Sequence, residues 1–219
     1  MMRSILVLNS KGGSGKSTVA TNLAVHYALA GNFVALVDQD PQKSALDWLE
    51  LRSEFRPAIT GVDGQSANSR VPRNTDVCVI DAPAATHGRE LTDLLRRAQS
   101  CVIPVVPSVL DLNAAGRFLD ELVDVGRVIN NKVRVATVAN RVRENSPGRL
   151  ELEHYLRSVK LNNGRRLPFT AVLRNTQNYV HAAERGLGIF EMPPSRASHD
   201  IELWGPLLRW LGSKRSLPV

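Results

Sequence analysis

The chain has 219 residues, 43% hydrophobic and 22% charged, which suits one compact domain with a sizeable core and excludes a disordered or fibrous protein. No apolar run reaches the roughly 18 residues that a membrane-spanning helix needs, and the opening Ile5–Leu8 run is too short for a secretory leader. Charge is uneven. Residues 1–110 carry 11 Lys and Arg against 10 Asp and Glu, residues 111–219 carry 17 against 11, and the nets of +1 and +6 sum to +7. A basic carboxyl-terminal half is what a nucleic-acid surface requires, although scattered solvated charges give the same tally.

Taken in order, apolar strand-like runs alternate with helical stretches, the pattern of a parallel sheet wrapped by helices. Strands are expected at Ser4–Asn9, Phe33–Asp38, Asp76–Asp81, Cys101–Val106, Val133–Asn140 and Phe169–Leu173. Several are nearly continuous Val, Ile, Leu and Ala, as in strands covered on both faces. Helices are expected at about Lys16–Ala30, Lys43–Ser53, Gly88–Ala98, Leu112–Ile129, Gly148–Val159, Asn175–Arg185 and Ser198–Gly212. The polar stretches Gly61–Asn74 and Arg141–Gly148 read as surface loops. The fold class is therefore α/β, a doubly wound, mostly parallel sheet with helices on both faces, built as one domain over residues 1–219. Cys78 and Cys101 sit inside strand-like runs and read as buried free thiols of a reducing, cytoplasmic compartment. His26, His87, His154, His181 and His199 show no metal-ligand spacing.

Residues Lys11–Thr18 read KGGSGKST, between a strand and a helix, which is the context of a phosphate-binding loop. Gly12, Gly13 and Gly15, with Ser14 between them, let successive backbone N–H groups face the β- and γ-phosphates, and the helix N-terminus adds partial positive charge. Lys16 supplies an ammonium to the β/γ oxygens, Ser17 a hydroxyl for Mg²⁺, and Thr18 a contact to the α-phosphate. One departure from the usual pattern stands out: Ser10 occupies the place of its first glycine, and a second lysine, Lys11, heads the loop. The next strand ends in Asp38-Gln39-Asp40-Pro41-Gln42 and the one after in Asp81-Ala82-Pro83-Ala84, so carboxylates stand at strand ends where open α/β sheets bind ligands. A late strand closes in Asn140-Arg141.

In this order the motifs resemble those of the ParA/MinD family of deviant Walker A P-loop ATPases, and the resemblance covers most of the chain. It implies an ATPase using ATP and Mg²⁺. Lys11 is then the signature lysine reaching a partner subunit's nucleotide across a homodimer, and Asp40 orients the attacking water. Ser17, Asp38 and Asp81 form the metal site. Asn140 and Arg141 would recognise adenine; alternatively Asn140 helps the chain turn. Arg174-x4-Tyr179-x3-Ala183-x2-Gly186-x4-Glu191 is similar to the closing segment of small single-domain ParA-like proteins, although Val172-Leu173-Arg174 stands where many relatives have Ile-Pro-Arg.

The resemblance further implies an ATP-dependent dimer that binds a surface and is released when a ParB-like or cargo-adaptor protein stimulates hydrolysis. The basic carboxyl-terminal half favours nonspecific DNA, with a plasmid, chromosome region or large protein assembly such as a carboxysome as cargo on the nucleoid. Arg165, Arg166, Arg196, Arg209, Lys214 and Arg215 are the candidate contacts, and a dimer would align two such patches. Membrane is the less favoured surface. A division-site regulator of the MinD type would need the Trp204, Leu207, Leu208, Leu211 stripe exposed, and Pro206 weakens a long helix there. A small-substrate ATP-dependent ligase is the remaining alternative.

Overall fold

The computed structural model describes residues 2–107, 109–128, 132–161 and 164–218. Seven strands, β1 (Arg3–Val7), β2 (Val34–Asp38), β3 (Ile59–Asp63), β4 (Val77–Asp81), β5 (Ser100–Val105), β6 (Arg134–Val142) and β7 (Phe169–Arg174), form one sheet in the order β3-β2-β4-β1-β5-β6-β7. Every neighbouring pair is parallel. The helices are α1 (Lys16–Leu29), α2 (Ser44–Glu50), α3 (Gly88–Arg96), α4 (Val109–Val128), α5 (Pro147–Ser158), α6 (Gln177–Ala183) and α7 (Pro194–Leu211).

Apolar side chains on both sides of each central strand dictate two cores. On β1, Ile5 and Val7 turn to one face and Leu6, with Leu8 just past the strand's end, to the other. The first face is covered by α1, α2 and α7 through Leu23, Trp48, Trp204 and Leu207. The second is covered by α3, α4 and α5 through Leu95, Phe118, Leu122 and Leu156. Cys78 and Cys101 are buried free thiols on that second face, and burial pushes both upward, Cys78 to about 11.

Three expectations are corrected. The stretch read as a loop from Gly61 begins inside the edge strand β3, where Thr60 and Gly61 are exposed and only Val62 is buried, so no apolar alternation announces it. A Cβ at Gly61 would lie 2.9 Å from Leu46 of α2, so a larger residue there would have to push that side chain's end aside. The strand expected to close at Asn140 continues to Val142 past a register shift, with Arg141 at φ 53°. This is a bulge rather than an end. The last helix starts at Pro194, not Ser198, and runs through Pro206. Proline at that position forfeits one helical hydrogen bond, and the burial of Trp204, Leu207 and Leu211 outweighs the loss.

The closing sequence motif proves to be a set of structural ties. Arg174 pairs with the fully buried Asp200 of α7. The Tyr179 hydroxyl accepts from Trp204 Nε1 at 2.9 Å, and Glu191 holds Arg52 in a two-pronged pair at 2.8 and 2.9 Å. Trp204 is the largest fully buried side chain and meets Phe190 edge-on at 5.5 Å. Trp204→Ala should cost about 3–5 kcal/mol of stability by urea unfolding, whereas Leu208→Ala, at a partly exposed position, should cost less than half as much; equal costs would place the stripe outside the core.

Candidate functional site: a nucleotide site at the strand carboxyl ends

Parallel strands deliver their carboxyl ends to one edge, and the sequence-predicted residues converge there. Val7, Asp81 and Asp38 stand side by side in register on β1, β4 and β2. The phosphate loop leaves β1 and turns into α1 through Gly13 and Gly15, both at positive φ. Gly15 also lies against Asn140, whose amide nitrogen would be 2.3 Å from an added Cβ, so a side chain is excluded twice over. Two residues that the sequence reading passed over brace the loop. Asn9 Nδ2 donates to the Pro104 carbonyl at 2.7 Å while its Oδ1 accepts from Lys11 N at 3.0 Å. Ala85 N donates to the Ser10 carbonyl at 2.7 Å, tying the loop after Asp81 to the phosphate loop. A buried asparagine directly after an apolar strand was the available signal for the first.

Lys16 is 6% exposed and its ammonium reaches the Lys11 carbonyl at 3.4 Å. Burial lowers its pKa, and the facing Asp81 and Asp40 partly restore it. Asp81 is fully buried and neither carboxylate oxygen has a hydrogen-bond partner; the Ser17 hydroxyl faces it without a well-formed bond. Desolvation pushes Asp81 up to about 7, opposed by Ser17 and Lys16 and reinforced by Asp38 and Asp40. A buried, unpartnered carboxylate next to a hydroxyl, under a lysine, is a donor set with oxygen chemistry for a hard divalent cation. Residues of the site thus fit Mg²⁺, with Asp81 and Ser17 as the groups to hold it.

Asp38 stands differently. Its Oδ1 accepts from Asp40 N at 2.9 Å, and its Oδ2 accepts from Ala45 N and Leu46 N at 2.9 and 3.2 Å. Those bonds cap α2 and shape the turn that carries Asp40. Three of the roughly four lone-pair sites of the Asp38 carboxylate are thus committed to backbone N–H groups, which leaves one, on Oδ1, for a metal or its water. Asp40 is half-buried, and its Oδ1 accepts from Gln42 N. Asn140 and Arg141 also serve the loop: Asn140 Nδ2 donates to the Ser14 carbonyl at 2.8 Å, and Arg141 to the Gly13 carbonyl at 3.1 Å. The bulge in β6 aims both side chains at the phosphate loop. Lys11, Gly12 and Gly13 are exposed at its mouth.

The Asp81 carboxyl has a consequence for stability. Its ordinary value is 3.8 and the folded value is about 7, so between those limits the folded state binds the proton more tightly than the unfolded state does. Stability from this group therefore falls as pH rises through the window and is lowest above it. Without nucleotide, Asp81→Asn should melt at a higher temperature than the parent at pH 8, with the gap closing toward pH 4. Mg²⁺ with ATP should raise the parent's melting temperature more than the variant's. A pH-independent gap would mean that the carboxylate is not desolvated.

Comparison with known proteins agrees with this geometry. The family model of the CobQ/CobB/MinD/ParA nucleotide binding domain matches residues 5–189. A maintenance of carboxysome distribution protein A from Halothiobacillus neapolitanus is 27% identical over 194 residues, covering 86% of this chain and 87% of the relative. The chromosome-partitioning ATPase Soj of Thermus thermophilus is 28% identical over 167 residues, covering 61% of this chain and 67% of the relative. Among solved structures, apo McdA from Cyanothece superposes with a TM-score of 0.75 over 95% of this chain and 100% of that one, at 16% identity, a likeness of fold. The phosphate loop, the two strand-end aspartates and the bulge behind them all lie inside the matched residues, and the chain belongs to the CobQ/CobB/MinD/ParA family of nucleotide-binding proteins.

Proposed function

We propose that this P-loop ATPase binds ATP with Mg²⁺, closes into a homodimer, binds DNA without regard to sequence and positions a cargo over the nucleoid. A ParB-like or cargo-adaptor partner triggers hydrolysis and release. The observation that carries the chemistry is the Lys16–Asp81 pair, a buried cation and an unpartnered carboxylate beneath the glycine-rich loop. The similarity to a carboxysome distribution protein, along 86% of the chain, supports a large protein body as the cargo.

Each residue has one task in this reading. The loop amides and Lys16 hold the β- and γ-phosphates, and burial keeps the Lys16 ammonium free of competing water. Bound Mg²⁺ supplies charge neutralisation on the phosphates, held by Ser17 and Asp81. Asp40, on the turn fixed by Asp38, orients the water opposite the leaving group. Asn140 and Arg141 brace the loop from behind and border the place for the base. Lys11, exposed at the mouth, reaches the partner's nucleotide.

The structure weighs on the choice of surface. Trp204, Leu207 and Leu211 are core, so α7 turns no apolar stripe outward for a bilayer. Among the described residues, no helix is long and apolar enough to cross a membrane. Arg165, Arg166, Arg196, Arg209, Lys214 and Arg215 are all exposed.

Lys16→Gln should weaken ATP binding by roughly ten- to a hundredfold, the worth of a charge-assisted hydrogen bond. Asp40→Ala should bind ATP normally and hydrolyse it on the order of a hundredfold more slowly. Adding Lys11→Ala to Asp40→Ala should dissolve the ATP-dependent dimer on sizing columns while changing nucleotide affinity little. Equal loss of binding in the Lys16 and Asp40 variants, or a dimer indifferent to Lys11, would overturn these assignments.

A further inference from the structure

The same parallel sheet that gathers the nucleotide residues at one edge gathers a different chemistry at the other. The segments that open β6 and β7, together with the turn after α7, span the described residues 132–134, 159–161, 164–168 and 212–218. They contain seven Lys or Arg and no Asp or Glu. Lys132 and Arg134 open β6. Arg165 and Arg166 lead into β7 beside a short antiparallel bridge from Lys160 to Arg166. Lys214 and Arg215 project from the 3-10 turn Lys214–Ser216. Lys132, Lys160, Arg165, Arg166, Lys214 and Arg215 are exposed.

That turn is fastened to the sheet. Arg3, at the start of β1, donates to Ser216 Oγ at 2.7 Å, to Ser100 Oγ at 2.7 Å and to the Leu211 carbonyl at 3.3 Å. Arg134 Nε donates to the Leu217 carbonyl at 3.2 Å. Ser216 is fully buried although its neighbours are exposed. The backbone under Lys214 and Arg215 is therefore held in place, and little ordering cost remains when their side chains meet phosphates. Guanidinium forks suit phosphodiesters.

We infer that this basic floor at the amino ends of the strands is the DNA-contacting surface and that it is complete within one protomer. Strands β5 and β7, of six residues each, put it roughly 17–20 Å from the nucleotide edge. The inference rests on the reading that ATP closes two protomers face to face over their nucleotides. In that arrangement the two floors point away from each other. The dimer then presents two separate DNA surfaces and bridges two duplex segments; it does not merge two half-patches into one. Arg196, at the opposite end of α7, lies outside the floor.

The test uses the full chain with Asp40→Ala, held with ATP, and random-sequence duplexes of one length. Beads carrying one duplex should capture a second, labelled duplex when the ATP-bound protein is added, and much less with ADP. Lys214→Ala with Arg215→Ala should lower the slope of log affinity against log salt by about two. It should reduce capture in parallel and leave the ATP dimer intact. Arg143→Ala, at the nucleotide edge, should change neither. Tight binding of one duplex with no capture of a second would overturn the two-surface arrangement. Binding lost with Arg143 and retained without Lys214 and Arg215 would overturn the location. ATP-dependent binding to anionic vesicles, with none to DNA at low salt, would sink both this inference and the DNA reading beneath it.

Discussion

A carboxylate with no hydrogen bond at the bottom of a cleft is expensive, and much of the nucleotide edge is arranged around the one at Asp81. Its burial follows from the position of β4 between β1 and β2, in the middle of a sheet covered on both faces. Solvent cannot satisfy it, and nearby Asp38 and Asp40 raise the cost. Lys16 and Ser17 reduce it incompletely. The site is therefore held in a state that a divalent cation with a polyphosphate relieves, which links ligand binding to folding stability in one residue. Lys16 shows the mirror image: burial disfavours its charge, and the aspartates preserve it. Neither group is comfortable alone, and their mutual dependence keeps both in place for an anionic ligand that brings its own cation.

Strand polarity then divides the molecule. All seven strands point the same way, so residues that begin strands and residues that end them never mix. The ends carry Asp38, Asp81 and the phosphate loop, where charges of both signs are buried and oriented. The starts of β6 and β7 carry cations alone. The first region suits chemistry that needs desolvation, and the second offers a wide, solvated field of one sign. The uneven charge of the two sequence halves is thus resolved by topology more than by chain position. Arg174 shows why: although it belongs to the basic half, it is spent on the buried Asp200 and contributes nothing to an open surface.

What the sequence revealed followed from how strongly each feature is fixed locally. The phosphate loop was legible because glycine and lysine spacing alone determines its backbone. The central strands were legible because burial on both faces demands unbroken apolar runs. β3 was not, since an edge strand with exposed Thr60 and Gly61 has no such demand. The roles of Asp38 and Asn140 were only half legible. Their placement at strand ends could be read, but not that Asp38 spends its oxygens on backbone N–H groups, or that a bulge turns Asn140 onto the Ser14 carbonyl. Such partners are set by register shifts and loop closure, which leave no mark in residue spacing. The apolar stripe on α7 had two readings in the sequence, core or surface, and only the packing of Trp204 against Phe190 and Tyr179 decides between them.

The segment from Gly186 to Glu191 gives the nucleotide edge a mechanical connection to the rest of the first core. Ile189 N donates to Asn22 on α1 at 2.6 Å, so the segment is bound to the helix that begins at Lys16. Trp48 Nε1 donates to the Leu187 carbonyl, and Arg52 is locked to Glu191, so it is bound equally to α2, which hangs from Asp38. Gly186 sits at φ 62°, and a Cβ there would lie 2.4 Å from the Arg52 backbone, leaving no slack between the two. The Arg52–Glu191 pair is almost fully buried, at 5% and 0% side-chain exposure. Pulling its partners apart would strand two charges in a poorly solvated interior, a penalty of several kcal/mol on the order of that for any broken buried pair. A shift of α2 driven from the Asp38–Asp40 turn therefore has a cheap course and a costly one. Moving with the 186–191 segment and the α7 that follows it is cheap, whereas moving alone breaks the pair.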